Sequence, residues 1–326
     1  MTEEELKQSL EEVYSQVDEI GVAVYVLLKG DGELEPKKLD IEGDSLDDLK
    51  NLFIGSLREN VTEKEDLTVL NLSSSDERTN AIYLYDLEVP SELMSMDTII
   101  QSDDIPLFDF SECDLSRIKS LLIEIGNNTH QIVLYKSMAP VNIFGRSSFF
   151  MKKDNQRFKR IDDEFVRISA GFQLMKISGE LFVVDLGAIE KAFGFHDVII
   201  REAALGIEAI DTMEIIENID TLSELVTDVK YARKFTKIAK SSPVIRANID
   251  NSRIIQFCKT FPQLQGRIRF NDAEDKIHLD TKVSKDLFIQ LLMDNFLTSE
   301  LTNFHYKSVA KDEADEPNGE EAVASE

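Results

Sequence analysis

Two short apolar runs, Ser120–Ile125 and Gln131–Lys136, flank the turn residues Gly126-Asn127-Asn128, and this strand–turn–strand pattern recurs along the chain. Runs of this length, rich in β-branched side chains and closed by Gly, Asn or Asp, suit strands better than helices. Val22–Leu28 is another, reading as a buried strand, after which Gly30-Asp31-Gly32 turns the chain toward a short strand around Leu39 and Ile41. Leu67–Leu72 and Ala81–Leu87 read as a further strand pair, joined by the polar loop Ser73-Ser74-Ser75-Asp76. Helical spacing interrupts these runs twice. Leu6, Leu10, Val13 and Val17 share one face, and Asp44 or Ser45 can cap a helix through Leu46, Leu49, Leu52, Phe53 and Leu57.

Residues 1–139 thus read as an α+β unit built on an antiparallel sheet, with a boundary at Ala139-Pro140. Beyond it a hairpin is expected from Phe149–Lys152 and Arg157–Ile161, across Asp154-Asn155. A second joins Gln173–Ile177 to Glu180–Val184 through Ser178-Gly179, which suits a tight primed turn. Helical patterns follow over Leu186–Phe193, Ile199–Ile210, Thr221–Lys240 and Arg253–Phe261, the last stopped by Pro262. Ile268–Phe270 and Ile277–Leu279 suggest a final hairpin, and Ser284 a cap for a helix through Leu287, Phe288, Leu291 and Leu292. The fold class is α+β: an acidic N-terminal antiparallel-sheet unit, then a mixed hairpin-and-helix unit over residues 140–310. Residues 311–326, with seven acids and one lysine, are expected to be a disordered acidic tail.

Charge is sorted along this framework. The net charge is −26, with 31 acids against 11 bases in residues 1–140 and 24 of each in residues 141–310. Within the balanced stretch the bases cluster. Arg146 to Arg160 holds six bases and one acid, and Lys230 to Arg269 holds ten bases and one acid, Asp250. A chain this acidic is repelled by phosphate polymers on net charge, so nucleic-acid contact would have to use these two islands.

Several function classes lack their residues. Cys113 and Cys258 are far apart, which argues against a disulfide framework or a zinc site and fits a reducing cytosol; each reads as a small core residue. The acidic start, Met1-Thr2-Glu3-Glu4-Glu5, has no signal-peptide pattern, and the longest apolar run, Val22–Leu28, is far short of a membrane span. A soluble cytoplasmic protein is expected. Four unrelated histidines give no metal site, no cofactor is implied, and the phosphate-loop, dinucleotide and nucleophile-elbow motifs are missing.

The segments Glu180-Leu181-Phe182-Val183-Val184-Asp185, Ile189-Glu190-Lys191-Ala192-Phe193-Gly194-Phe195 and Leu291-Leu292-Met293-Asp294-Asn295-Phe296-Leu297-Thr298 through Tyr306 resemble the KwaB-like family of the bacterial Kiwa anti-phage system. The resemblance covers roughly residues 141–307, with a looser match in element order before it. It implies a cytoplasmic protein that binds double-stranded DNA and self-associates, as a dimer or tetramer. It also implies a multi-span membrane partner, KwaA, that would recruit the chain to the inner face of the membrane. No active site is carried over, and the acidic tail is not a family feature.

The candidate nucleic-acid-binding residues are Arg146, Lys152, Lys153, Arg157, Lys159 and Arg160 on the first hairpin. The second set is Lys230, Arg233, Lys234, Lys237 and Lys240, with Arg246, Arg253, Arg267 and Arg269 beyond them. In the segment from Lys230 to Lys240 the bases recur every three or four residues, opposite a stripe of Tyr231, Phe235, Ile238 and Ala239. The alternative is a solvated face, or a docking surface for the acidic half. Reversing Lys230, Arg233, Lys234 and Lys237 to Glu is expected to abolish DNA retention and spare the fold. Phe149, Phe150 and Phe158 can stack on bases but read more readily as core. An enzyme reading has only Asp162-Asp163-Glu164, as a cation-binding cluster, and Asp185 with Glu190-Lys191, as a faint nuclease pattern. A polar turn and a helix cap account for them more simply. No catalytic residue is assigned, so whether the chain is an enzyme stays open: a metal-dependent nuclease, or a pure protein–protein scaffold, are the alternatives to DNA binding.

Overall fold

The β-rich runs assemble into one eight-stranded sheet. The computed structural model describes residues 1–28, 34–74, 80–127, 129–139, 151–155, 157–161, 165–190, 193 and 195–308. Chain contacts divide it into two units, Met1–Ile199 and Ile200–Glu326. In the first, the elements are α1 (Glu3–Tyr14), β1 (Gly21–Leu28), β2 (Pro36–Lys38), α2 (Gly43–Leu57), β3 (Thr68–Asn71), β4 (Ala81–Leu84), α3 (Ser91–Gln101), β5 (Ile118–Gly126), β6 (Gln131–Ser137), β7 (Met151–Asp154), β8 (Arg157–Arg160), β9 (Leu174–Ile177), β10 (Glu180–Val183) and α4 (Leu186–Glu190).

The sheet order is β2-β1-β5-β6-β9-β10-β4-β3, antiparallel except between β3 and β4. Its two outer layers follow from side-chain alternation. Val24, Val26, Leu121, Ile123, Ile125, Ile132, Leu134, Met175 and Ile177 pack with Leu6, Leu10 and Val13 of α1 and Phe53, Ile54 and Leu57 of α2. The opposite face carries polar anchors to α3. The Tyr135 hydroxyl donates to Glu92 Oε1 at 2.7 Å, Lys119 donates to Glu92 Oε2 at 2.6 Å, and Lys176 pairs with Asp97. Burial, and then the Glu92 carboxylate, push the Tyr135 phenol far above the ordinary tyrosine range.

The structure departs from the sequence expectations at defined points. β9 and β10 lie beyond Ala139-Pro140 yet pair with β6 and β4, so the contacts divide the chain at Ile199/Ile200 rather than at residue 139. β3 and β4 are parallel, Thr68 opposite Ala81 and Asn71 opposite Leu84, so they do not form a hairpin. The nine residues between them, 72–80, can span about 30 Å, enough to carry the chain back along a four-residue strand. Ser73 and Asp86, just past the same ends of the two strands, are joined by Ser73 N–H to Asp86 Oδ1 at 2.9 Å. α3 has no counterpart in the sequence reading, β2 precedes Leu39 and Ile41, and α2 starts without a side-chain cap. The Ser178-Gly179 turn forms as read, with φ of 51° and 82°.

The second unit is mostly helical: α5 (Phe195–Thr212, which spans the division), α6 (Asp220–Ser223), α7 (Val229–Ser241), α8 (Pro243–Arg246), α9 (Asn251–Thr260) and α10 (Lys282–Leu292). Two small hairpins, β11–β12 (Arg269–Phe270, Ile277–His278) and β13–β14 (Phe296–Thr298, His305–Lys307), accompany them. The helix expected over Thr221–Lys240 is broken by a 3-10 turn at Glu224–Thr227 and by Asp228, whose extended backbone and side chain cap α7. Thr281, not Ser284, caps α10; Ser284 lies three residues in and donates its backbone N–H to Thr281 Oγ1 at 3.0 Å.

The raised Tyr135 phenol fixes a pH response. Below pH ~10 the folded and unfolded chains both keep that proton. Above it the unfolded chain releases the proton and the folded chain resists, so stability falls as pH rises through ~10. Chemical denaturation at pH 8 and pH 11 should show this loss, and Tyr135→Phe should make it smaller.

Candidate nucleic-acid interface

The first basic island is a two-stranded ribbon with its own register: Met151 opposite Arg160, Lys152 opposite Lys159, Lys153 opposite Phe158 and Asp154 opposite Arg157. Directly opposed residues share a face, so Lys152 and Lys159 stand together on one side and Lys153 and Phe158 on the other. The turn is made by Asn155 at φ 55°, a left-handed position that asparagine tolerates. Met151, Lys152, Lys153, Arg157, Phe158 and Lys159 are all exposed. Phe158 is 70% exposed, which corrects its reading as core. A ring this exposed is not held by burial in its own fold. Arg146, Phe149 and Phe150 lie outside the described residues, as does the acid cluster Asp162-Asp163-Glu164.

The second island is built differently. α7 buries Tyr231, Ala232, Phe235, Thr236 and Ile238, so its bases do stand opposite an apolar stripe. Several are already engaged by carboxylates. Lys234 reaches Asp286 Oδ1 of α10 at 3.1 Å and lies 4.8 Å from the Tyr231 ring centroid. Lys240 pairs with Glu202 of α5 at 3.1 Å. Beyond α7, Lys259 pairs with Glu274 and Arg269 with Asp280, each at 2.6 Å. The Lys259 ammonium also holds the Glu274 carboxyl below its ordinary range. Lys230, Arg246, Arg253 and Arg267 are exposed; Arg233 and Lys237 are half-buried. The expected single basic face is therefore a mixed-charge surface.

α7 is also fixed from behind. A Cβ added at Gly206 of α5 would lie 2.1 Å from the Phe235 carbonyl oxygen, so the two helix backbones meet with no room for a side chain. This close crossing explains why α7 serves as a packing element as much as a surface. Asp185, offered above as a cap, takes that role: its Oδ1 accepts the Ala188 N–H at 3.2 Å at the start of α4. Among the described residues no group of three or more His, Cys, Asp or Glu could hold a metal ion, and no helix is long and apolar enough to cross a membrane. Cys258 is buried, which pushes its thiol up to about 12, and Cys113 is half-buried.

The family described as Kiwa protein KwaB-like matches residues 115–302. The chain belongs to that family. The match runs from just before β5 to just past β13, so it holds both basic islands and the two central strands β5 and β6, further upstream than the resemblance over 141–307 suggested. Kiwa protein KwaB of Escherichia coli O55:H7 (strain RM12579 / EPEC) is 29% identical over 326 residues, covering 97% of this chain and 100% of its own length. No solved structure matches. The family span thus joins the C-terminal half of the sheet to the helical unit.

These contacts change what the fourfold reversal on α7 would do. Lys234→Glu places a carboxylate against Asp286, so it should lower stability, on the order of 1 kcal/mol because the pair is partly exposed. Lys230→Glu should stay within about 0.5 kcal/mol of the parent, and Gly206→Ala should cost roughly 3 kcal/mol through the backbone clash. Equilibrium denaturation of the three variants tests the ranking. A Gly206→Ala protein as stable as the parent would contradict the crossing.

Proposed function

We propose that the chain is an antiviral Kiwa protein that binds double-stranded DNA without sequence preference and blocks incoming phage DNA by occupying it. The observation that carries this reading is the β7–β8 ribbon, on which Lys152, Lys153, Arg157 and Lys159 are exposed beside an exposed Phe158. A two-stranded ribbon matches the width of the major groove. Lysine and arginine address phosphates, which are the same in every sequence. Lys230, Arg253 and Arg267 of the second unit are also exposed and can add phosphate contacts. Those held by Asp286, Glu202, Glu274 and Asp280 contribute less, since each would exchange one anion for another.

In this reading the acidic N-terminal half, with Glu3-Glu4-Glu5, Glu11-Glu12, Asp47-Asp48 and Asp103-Asp104, addresses a different partner. The cytosolic loops of multi-span membrane proteins are rich in Lys and Arg, which such a surface attracts. A KwaA-like membrane partner would hold the chain at the inner face of the membrane, as a dimer or tetramer, with the basic ribbon left for DNA.

The ribbon makes the proposal testable apart from folding. Lys152→Glu, Lys153→Glu and Arg157→Glu together should weaken duplex binding by about ten-fold or more at low salt. Lys234→Gln with Lys240→Gln should change it less than about three-fold, because both cations are already paired. Fluorescence anisotropy with two unrelated duplexes of equal length gives both numbers and the sequence dependence. Unchanged binding by the ribbon variant would remove the ribbon from the interface.

A further inference from the structure

Where α7 meets α10, lysines gather around one tyrosine–aspartate pair. Tyr231 is buried, and its hydroxyl donates to Asp286 Oδ2 at 3.3 Å. Burial, and then the Asp286 carboxylate, raise the Tyr231 phenol above its ordinary range, so it keeps its proton and stays a donor. Lys234 donates to Asp286 Oδ1 at 3.1 Å, with its ammonium 4.8 Å from the Tyr231 ring centroid. Lys282, at the start of α10, brings a second ammonium to 6.0 Å from the same centroid. Lys230 lies one turn before Lys234 on α7 and shares its side of that helix. Lys282 lies beyond the second basic island of the sequence, and only the packing of α10 on α7 brings it to these two.

The carboxylates here do not match these cations one for one. Asp286 holds both Lys234 and Tyr231. Asp228 is committed to capping α7, its Oδ1 accepting the Lys230 N–H at 2.9 Å. The ammonium groups of Lys230 and Lys282 are exposed, and neither enters an ion pair among the described residues. Two exposed ammonium groups beside a third attract an oxyanion. Asp286 acts against that attraction in two ways: it repels an incoming phosphate, and it keeps Lys234 engaged. Its carboxylate is half-buried, so salt screens it less than it screens the outer lysines.

We propose that the α7–α10 seam is a phosphate-binding surface on which Lys230 and Lys282 make the contacts, and that Asp286 limits its affinity by withholding Lys234. The identity of the ligand, a duplex backbone, rests on the DNA-binding reading above. The phosphate chemistry does not, since a free polyphosphate presents the same oxygens to the same lysines.

A double-mutant cycle in the full chain tests the restraint. Asp286→Asn keeps the size of the side chain and removes its charge. It should tighten duplex binding by about three-fold or more at low salt and steepen the log–log salt dependence by roughly one. Lys234→Gln in the parent should change affinity less than about three-fold, but in the Asp286→Asn background it should abolish the gain. Both single variants break the same ion pair, so a gain caused by looser packing of α7 on α10 would appear in Lys234→Gln as well. Lys282→Ala should lower the salt slope by roughly one; an unchanged slope removes Lys282 from the surface. If Lys234→Gln has the same effect in both backgrounds, Asp286 acts only through net charge, and the restraint is overturned while DNA binding stands. Titration of the same proteins with inorganic tripolyphosphate separates the surface from its ligand. The cycle appearing with tripolyphosphate while no protein binds a duplex keeps the surface and removes the DNA-binding reading. Binding of neither, or additive effects on both, overturns the surface.

Discussion

A lysine seated on a carboxylate must leave it before it can reach a phosphate, and that exchange decides which basic residues of this chain are available. Lys234 on Asp286 and Lys240 on Glu202 tie α7 to α10 and α5. Their charge is spent inside the unit. On the ribbon β7–β8, Lys152 stands opposite Lys159, and the ring of Phe158 is left in solvent. Opposed like charges weaken a strand pair in isolation, and a polyanion laid along the ribbon relieves that repulsion.

The sheet explains how an acidic chain can present such a ribbon. Its buried layers are apolar on the α1 and α2 side, while on the other side Glu92 accepts from both Tyr135 and Lys119, and Lys176 pairs with Asp97. Burying these charges is tolerable because each has a partner. The surplus carboxylates are therefore on the surface. The family match, which begins at the entry to β5, takes in the central strands and the ribbon together.

Much of the framework was legible from local chemistry. The β5–β6 and β9–β10 hairpins were fixed by apolar runs and by turn residues such as Ser178-Gly179, and α1 and α9 by their periodicity. α3 was readable in hindsight, since Leu93, Met96 and Ile99 step by three behind Pro90 and Ser91. The break at Asp228 carried a signal too, an aspartate immediately before a lysine-rich helix, but continuous amphipathic spacing across Thr221–Lys240 outweighed it. The candidate site was legible only as composition. That Lys234 meets Asp286, or Arg269 meets Asp280, depends on how helices and hairpins pack, and no spacing along the chain encodes it. Parallel pairing of β3 with β4 was hidden for the same reason: a connection of that length permits either direction.

The account turns on cations that are exposed and displace counterions when a duplex binds. The salt dependence of duplex binding by the intact protein measures this directly. With about six phosphates engaged, log Kd against log salt should rise with a slope of roughly 5. A slope near zero, or no binding even at low salt, would contradict it.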